Sequence, residues 1–331
     1  MKIAVIGNKR HFNLEYYSVR ALESLGHSVK FLGYNELGSH SYSDLLRMVA
    51  TRSAIVRKLS EPFWLKYINN QYIKTLTDFR PKIILSIKGE SILPKTLQYV
   101  SKVLCARTAL WFPDDPRFFR SLSSRIAPYY DYVFSSSSNG VKMYREKNEN
   151  SYRLPFGCDN EIHKREEWDS KPNERAIFVG TFSPKRFRLL KYLINQGINI
   201  DIVGKYWRYF LPSRVLSDGI YGFSLANLYQ KYAITINIHE NEKYGPNMRT
   251  FEVTGSGGTL LTDRVDGIEE YFREGKEVLI YRDKMEMARI ITDLTKRNDQ
   301  LLDIARNGYK RSHKYYTYDR IMNHFLDTVK K

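Results

Sequence analysis

The segment Tyr244–Gly258 has the residue types and spacing that suit the binding of a nucleotide diphosphate. Gly245 and Pro246 precede a helix-forming run, and proline is tolerated in the first turn because its missing N–H would bond to nothing there. The free backbone N–H groups of Asn247 and Met248, together with the helix dipole, would form an anion site.

A carboxylate and a second cation follow on the same predicted helix, Asn247–Thr254. Glu252 would accept hydrogen bonds from ribose hydroxyls, and Arg249 is assigned to the same donor-binding set. The glycines within Gly255–Gly258 permit a tight turn back into the sheet. An ordinary β-α-β crossover would share these features, so this segment alone leaves both interpretations open.

A basic pair follows the strand predicted at Ala176–Val179. Gly180 ends that strand, and Lys185 and Arg186 come soon after it. Ligands of open parallel sheets bind beyond the carboxyl ends of the strands. Two cations placed there would neutralise the charge that develops on a departing diphosphate, without a metal ion. A solvated basic turn is the alternative.

Aromatic and imidazole side chains follow two more predicted strands of this half. Tyr206 and Trp207 come after Ile198–Val203, where a ring would stack on a nucleobase or else pack locally. His239 comes after Ile234–Ile238 and is assigned to the donor side, although histidine near a strand end also suits a structural role.

Polar residues follow three strands of the N-terminal half. The residues assigned to the acceptor side are Asn8, Lys9, Arg10, Lys88 and Glu90. Asp114 and Asp115 follow the strand Ala106–Phe112, where a carboxylate would act as general base toward an acceptor hydroxyl. Flanking prolines also suit a rigid turn here, and no metal site is assigned.

Strands alternate with helices through both halves, which predicts parallel sheets covered on both faces. The other strands of the first half are predicted at Lys2–Ile6, Ser28–Leu32, Ile83–Ile87 and Tyr132–Ser135. A basic helix is predicted from Ser43 to about Leu59, with a further helix to about Asp78. The predicted domains are 1–158 and 176–312, with a polar linker at 159–175 and a C-terminal helix within 313–331.

Length and composition limit the class of protein. A chain of 331 residues suits two α/β domains. Two cysteines at no metal or redox spacing fit a reducing compartment. The first apolar strand is too short for a signal peptide, and no apolar run reaches the roughly 20 residues of a membrane span. We therefore expect a soluble, cytoplasmic protein.

The net charge is +17, and residues 1–160 hold +11 of it, from 24 basic and 13 acidic residues. This excess predicts an anionic partner, such as a glycan polymer, a lipid-linked carrier or DNA, and peripheral membrane contact. A general contribution to solubility is the alternative.

Taken in order along the chain, several segments resemble the CgeB-like (spore maturation protein type) family of glycosyltransferases, a branch of the GT-B superfamily. These segments are Lys88–Glu90, Trp111–Pro116, Leu154–Gly157, Phe178–Gly180, Gly204–Trp207, Asn247–Glu252, Gly267–Phe272 and Lys314–Tyr318. The likeness covers most of the chain from about residue 80 and is strongest from 176 to 320.

The resemblance implies a GT-B fold, in which two Rossmann-like α/β domains face each other across a cleft and a C-terminal helix crosses back to the N-terminal domain. It implies donor binding by the C-terminal domain, acceptor binding by the N-terminal one, and no cofactor or essential metal beside a nucleotide sugar, with a UDP-sugar favoured. Glu252 matches the second glutamate of the E-x7-E motif of retaining enzymes, which holds the donor ribose. The first glutamate is replaced by Tyr244, so the sugar-contacting carboxylate is unassigned, although the match favours retention.

The expected function is therefore transfer of a sugar from a nucleotide diphosphate donor to an anionic acceptor, which would be a surface glycan, a lipid carrier, a protein or modified DNA. Two other classes stay open at this stage. A nucleotide-sugar epimerase can share the GT-B fold, and a non-catalytic basic protein that binds nucleic acid or membranes would explain the charge. The sequence leaves open the sugar, the nucleotide base, the acceptor and the oligomeric state.

Overall fold

The computed structural model of the chain describes residues 1–37, 54–114, 116–169, 171–241 and 244–330, with only the backbone described for residues 37 and 54–61. The chain divides into two compact units. The N-terminal unit comprises Met1–Pro155 with Met322–Lys331, and the C-terminal unit comprises Phe156–Ile321.

The N-terminal unit contains a parallel six-stranded sheet. Its strands are β1 Lys2–Gly7, β2 Ser28–Gly33, β3 Ile83–Ile87, β4 Arg107–Phe112, β5 Tyr132–Ser135 and β6 Ser151–Arg153, in the order β2-β1-β3-β4-β5-β6. Every residue of β3 is buried, as expected for a central strand that helices cover on both faces. The strand order reverses at β1 and β3, so the carboxyl ends of these two strands flank a ligand-binding position.

The helices described in this unit are α1 Leu14–Ser24, α2 Tyr34–Leu37, α3 Ala54–Phe79, α4 Pro94–Val103, α5 Ser124–Ile126 and α6 Ser138–Arg145. The predicted basic helix Ser43–Leu59 lies largely outside the described residues. The predicted break near residue 59 is wrong, because α3 runs on through Pro62 to Phe79. Its side chains Ile68, Tyr72 and Leu76 are fully buried at a helical spacing of four, and this packing holds the helix together.

The C-terminal unit contains a second parallel six-stranded sheet. Its strands are β7 Asn173–Val179, β8 Ile200–Val203, β9 Val215–Ser217, β10 Tyr232–Asn237, β11 Leu260–Asp263 and β12 Leu279–Tyr281, in the order β12-β11-β10-β7-β8-β9. This is the Rossmann order of two mononucleotide-binding halves, and it reverses between β7 and β10. The edge strands β9 and β12 were not predicted, because three residues show no periodicity.

The helices described in this unit are α7 Pro184–Asn195, α8 Gly222–Lys231, α9 Met248–Gly255, α10 Ile268–Tyr271, α11 Lys284–Leu294, α12 Asn298–Tyr315 and the start of α13 Tyr318–Lys330. The sequence pattern predicts all of these helices except α10, each to within three residues of its bounds. The predicted ranges are Phe187–Gln196, Leu225–Tyr232, Asn247–Thr254, Lys284–Lys296, Asp299–Ser312 and Tyr318–Val329. The core between helices and sheet contains Phe178 of β7, Ile236 of β10 and Leu261 of β11.

Most of α13 belongs to the N-terminal unit. There the ring of Phe325 packs edge-on against Phe134 of β5, with ring centroids 5.3 Å apart. The guanidinium of Arg107 also donates to the carbonyl of Val329. Across the described ranges, no helix is both long enough and apolar enough to cross a bilayer.

Candidate active site

The residues that follow β7 and β10 form the candidate site of the C-terminal unit, since the sheet order reverses between these strands. Gly180 follows β7, and Gly204 after β8 lies tightly against it. A Cβ atom on Gly204 would lie 1.9 Å from the Gly180 carbonyl oxygen, and the φ angle of Gly204 is +156°. Only glycine allows this close backbone approach.

Helix α9 begins at this edge with a complete cap and two spare donors. The side-chain oxygen of Asn247 accepts from the N–H of Thr250 at 3.2 Å, and the N–H of Asn247 donates to His239 Nε2 at 3.2 Å. In the described part of the chain, the backbone N–H groups of Met248 and Arg249 have no acceptor. The sequence predicts free N–H groups at Asn247 and Met248, but the N–H of Asn247 bonds to His239, so the spare donors at this helix end are those of Met248 and Arg249.

A buried histidine–aspartate pair supports that helix end. His239 Nδ1 lies 2.6 Å from Asp263 Oδ1, and the His239 backbone N–H donates to both carboxylate oxygens at 3.1 Å. Because Nε2 accepts from Asn247, the proton of a neutral ring lies on Nδ1. Both ring nitrogens are therefore engaged within the protein, and the residue is 4% exposed. The expected direct contact of His239 with a donor does not fit this arrangement; His239 links β11 to α9.

The two predicted cations both reach the end of β10. Lys185 Nζ donates to the His239 carbonyl at 2.7 Å and lies 3.6 Å from Asp263 Oδ2. Arg186 donates from Nε and Nη2 to the carbonyl of Ile238 and from Nη1 to the carbonyl of Thr181. A guanidinium has five N–H donors, so these bonds leave capacity for an anion.

Arg186 lies beside an acidic side chain, which affects its pKa. Its Nε lies 3.1 Å from Glu240 Oε1. Burial lowers the pKa of Arg186, and the charge of Glu240 opposes this shift. The guanidinium nonetheless stays charged at neutral pH, since arginine is not deprotonated in proteins.

Glu252 is a buried carboxylate without a hydrogen-bond donor among the described residues. It lies one turn after Met248 on α9. Burial raises the pKa of Glu252, and the positive charge of Arg249 opposes this shift. Arg249 Nε in turn donates to the Tyr229 hydroxyl at 3.2 Å. Glu252 is 4% exposed, and a carboxylate this buried is suited to a ligand that donates hydrogen bonds to it.

The two aromatic residues after β8 differ in exposure. Trp207 is fully buried, packs edge-on against Phe178 and Phe182, and donates from Nε1 to the Gly180 carbonyl at 2.7 Å. The predicted stacking of Trp207 on a base is therefore wrong, because local packing covers its ring. Tyr206 is 59% exposed and has a left-handed φ of 70°.

In the N-terminal unit, charged side chains gather at the carboxyl ends of β1, β3 and β4. Lys88 follows β3, and its Nζ lies 2.5 Å from Asp114 Oδ2. Burial lowers the pKa of Lys88, but the charges of Asp114, Glu15 and Glu90 raise it on balance. Lys88 has a left-handed φ of 65°, a strained conformation of the kind that clusters at functional sites.

Glu15 is a component of this cluster that the sequence did not reveal. It is buried in the first turn of α1, and its Oε1 accepts from the N–H of Asn8 at 3.2 Å. Burial raises the pKa of Glu15, while its bonds to backbone N–H groups and the charge of Lys88 oppose this. Gly7 makes room for this side chain, because a Cβ there would lie 2.6 Å from Glu15 Cγ.

The other predicted acceptor-side residues have different partners. Among the described residues, Asn8 Oδ1 is buried and has no hydrogen-bond partner, whereas Arg10 is exposed. Lys9 pairs with Glu36 of α2 at 2.9 Å. Glu90 Oε1 accepts from the hydroxyl of Tyr34 at 2.8 Å.

Asp115 lies outside the described residues, so the predicted aspartate pair is represented by Asp114 alone. In the ranges that the structure describes, no three His, Cys, Asp or Glu side chains are grouped to bind a metal ion.

Three functional candidates were missed in the sequence, namely Glu15, Tyr34 and Asp263. Asp263 is the last residue of β11, and a position at the end of a strand is a usable signal because such residues lie at the ligand edge of the sheet. Glu15 and Tyr34 carry no such signal, since their importance comes from burial and from partners distant in sequence.

The sequence itself matches known proteins in the same region. Residues 186–327 match the family model described as "Glycosyl transferase-like". The spore protein CgeB of Bacillus subtilis (strain 168) is 21% identical over 202 residues, which cover 58% of this chain and 63% of the CgeB chain. The chain resembles CgeB. The predicted likeness to CgeB-like proteins is thus confirmed, over a match that spans less than two thirds of that relative's length.

Solved structures of glycosyltransferases and related enzymes share the fold of this chain. HepE of Anabaena, solved in complex with UDP, is 12% identical over the whole of both chains with a TM-score of 0.67. HepE in complex with UDP-glucose gives a TM-score of 0.68. Sucrose-phosphate synthase of Thermosynechococcus elongatus is 12% identical over 99% of this chain and 98% of its own, with a TM-score of 0.70. The predicted fold class, two Rossmann-like α/β domains as in GT-B enzymes, is confirmed.

Proposed function

We propose that this protein is a glycosyltransferase that takes a sugar from a nucleoside diphosphate sugar. The observation that carries the proposal is the buried Glu252 carboxylate, which lacks a hydrogen-bond donor in the described part of the chain and follows the two spare N–H donors of Met248 and Arg249 at the start of α9. The match of residues 186–327 to a glycosyl transferase-like family and the likeness to CgeB support the same class of enzyme.

The nucleotide is proposed to lie along α9. Met248 and Glu252 are four residues apart, so they share one face of the helix and are separated by about 6 Å along its axis. The amides of Met248 and Arg249 would receive the diphosphate, and Glu252 would accept bonds from the ribose hydroxyls. The exposed ring of Tyr206 would stack on the base.

UDP is the proposed nucleotide. HepE, which shares the fold, has been solved with UDP and with UDP-glucose. At 12% identity this likeness supports the choice of probe for a first experiment, and the sugar is left to the measurement.

The leaving diphosphate is proposed to be stabilised by protein charges rather than by a metal ion. Lys185 and Arg186 reach the end of β10 from the start of α7, and the amides of α9 face the same edge. Such preorganised donors act where charge develops in the transition state. The match of Glu252 to the E-x7-E motif supports retention of configuration, although Tyr244 holds the position of the first glutamate.

The acceptor is proposed to bind the N-terminal unit, with Asp114 as the group that addresses the acceptor hydroxyl. Lys88 contacts this carboxylate and holds it. Among the anionic acceptors that the charge of +17 suits are a surface glycan, a lipid-linked carrier, a protein and modified DNA. We propose a cytoplasmic location with peripheral membrane contact.

Thermal unfolding in the presence of nucleotides tests the donor site. UDP should raise the melting temperature more than UMP, because the second phosphate adds bonds at the start of α9, and a ligand at 100 times its Kd stabilises by about 2.7 kcal/mol. Glu252→Ala should abolish the shift.

Glu277→Gln is the matched control, because Glu277 is equally buried and pairs with Arg273 in the same unit. It should alter the melting temperature without nucleotide and leave the UDP shift unchanged. Equal shifts for UDP and UMP, or an unchanged shift in Glu252→Ala, would refute the proposed donor site.

A further inference from the structure

An exposed surface of the C-terminal unit combines aromatic rings with basic side chains that form no ion pair within the described ranges. We define the aromatic-basic patch as Phe187, Arg188, Lys191, Tyr209 and Phe210. Tyr209 is 83% exposed and Phe210 is 47% exposed. Arg188 and Lys191 are exposed as well. Neither the donor site nor the acceptor site uses these residues.

Ring contacts join the two parts of the patch into one surface. Phe210 lies 5.6 Å from Phe187 of α7 between ring centroids, and Lys191 Nζ lies 5.5 Å from the Phe187 ring on its own helix. Phe210 also stacks on Phe182 at 4.0 Å and 9°. The stacking contact with Phe182 holds the Phe210 ring at the surface.

The charge on this surface has one sign. Helix α7 contains no acidic residue, and its two basic residues outside the donor site, Arg188 and Lys191, are three apart and therefore neighbours on the helix. The acidic side chain of Asp218, in the same connection between β8 and α8, pairs with Arg208 at 3.3 Å. A partner for the patch must therefore be anionic and must also accept apolar rings.

We propose that the aromatic-basic patch docks on the face of an anionic lipid bilayer. Aromatic side chains insert at the headgroup level, and each Lys or Arg near an anionic surface adds to the attraction. The exposed basic side chains of the patch complement the charge of anionic headgroups, and this complementarity selects the occupant. Single-stranded DNA, which also combines negative charge with ring stacking, is tested beside the vesicles.

The patch also adjoins the loop of the donor site. Phe182, beneath Phe210, lies between Gly180 and the start of α7, and its N–H donates to the Lys205 carbonyl at 3.1 Å. Docking would therefore hold the donor edge of this unit near the lipid surface. If the proposed transferase function also holds, the acceptor is attached to or embedded in the membrane; the docking itself does not depend on that function.

The test is co-sedimentation of the full chain with vesicles of phosphatidylcholine, with and without phosphatidylglycerol. Binding is expected to the anionic vesicles and not to the neutral ones. Arg188→Glu with Lys191→Glu should lower the partition coefficient at least about tenfold. The matched control is Lys296→Glu with Lys310→Glu, two exposed lysines whose reversal changes the net charge equally; this control should keep most of the binding.

The aromatic part is tested with Tyr209→Trp, whose emission should shift to the blue on anionic vesicles, and with Tyr209→Ser, which should weaken binding. Three outcomes would each overturn the proposal. The first is an equal loss of vesicle binding in the patch and control variants, and the second is no vesicle binding by the wild type. The third is a loss of single-stranded DNA binding in the patch variants without a loss of vesicle binding. The UDP-induced thermal shift, measured on the same samples, reports the donor site separately. It should be unchanged in the patch variants, so failure of docking and failure of donor binding are distinguishable.

Discussion

Glu252 is the residue at which stability and function should be in conflict. Burial raises its pKa, so the charged carboxylate is unfavourable in the folded protein without ligand. We predict that Glu252→Gln increases the free energy of unfolding at pH 7 by on the order of 1 kcal/mol and weakens UDP binding by about tenfold or more, because hydrogen bonds to a charged group are lost. Denaturant titration and calorimetric titration with UDP measure the two effects.

The gain in free energy of unfolding that we predict for Glu252→Gln should depend on pH in a defined direction. A carboxyl whose pKa is raised on folding binds its proton more tightly in the folded state, so its contribution to stability falls as pH rises through the folded pKa. The stability difference between Glu252→Gln and the wild type should therefore shrink as the pH is lowered toward the ordinary range of a glutamate. A difference that stays constant down to about pH 4 would show that the carboxylate is not destabilising.

Asp263 is expected to act on donor binding through His239 and the start of α9. Asp263→Asn would place an amide against the N–H groups that the carboxylate accepts from, so we predict a loss of about 1–3 kcal/mol in stability and at least tenfold weaker UDP binding. Asp201→Asn is the control, because Asp201 is a buried, paired carboxylate near the other end of the same sheet. It should lose stability and keep UDP affinity, and equal losses of affinity in both variants would contradict the assigned role.

Some of these residues were predictable and others were not, for physical reasons. Asn247 and Glu252 were found because a helix start and its first turns have a local signature in the sequence. Asp263 and Glu15 matter through burial and partners that only the folded chain brings together. Trp207 shows the reverse error, since its position after a strand suggested a ligand, whereas a ring of aromatic neighbours covers it.

At the scale of elements, the start of α9 carries the proposed anion site, and its cap can be removed selectively. Asn247→Ala should cost about 1 kcal/mol of stability and weaken UDP binding, because the amides of the first turn lose their fixed orientation. Asp283→Ala removes the cap of α11, where the aspartate accepts from Met285 and Glu286. It should cost similar stability with no change in UDP affinity, measured by the same titration; a loss of affinity there would indicate a general loosening of the unit.

Elements were predictable in proportion to their length and periodicity. The long helices α7, α11 and α12 were found from their apolar spacing, whereas the three-residue strands β9 and β12 were not. The predicted break near residue 59 is wrong because α3 continues through Pro62 to Phe79, where Ile68, Tyr72 and Leu76 pack in the core. Tertiary packing thus overrode a local signal.

At the scale of the whole molecule, the charge of +17 should appear as salt dependence. Binding to double-stranded DNA, used as a polyanion probe, should weaken at least tenfold between about 50 and 200 mM salt, because several counterions are released. UDP carries few charges, so its affinity should change much less over that range. Fluorescence anisotropy with labelled DNA and labelled UDP compares the two slopes, and a flat DNA curve would contradict an electrostatic acceptor surface.

The central claim is that the C-terminal unit holds a nucleoside diphosphate sugar for transfer. Its most direct test is incubation of the protein, without added metal, with UDP-, GDP-, dTDP- and CMP-sugars, while free nucleotide and sugar identity are followed. We predict slow release of one nucleoside diphosphate, with UDP as the expected product, and loss of this release in Glu252→Ala. Conversion of the donor into another nucleotide sugar would assign an epimerase instead, and no turnover with no nucleotide-induced stabilisation would contradict the account.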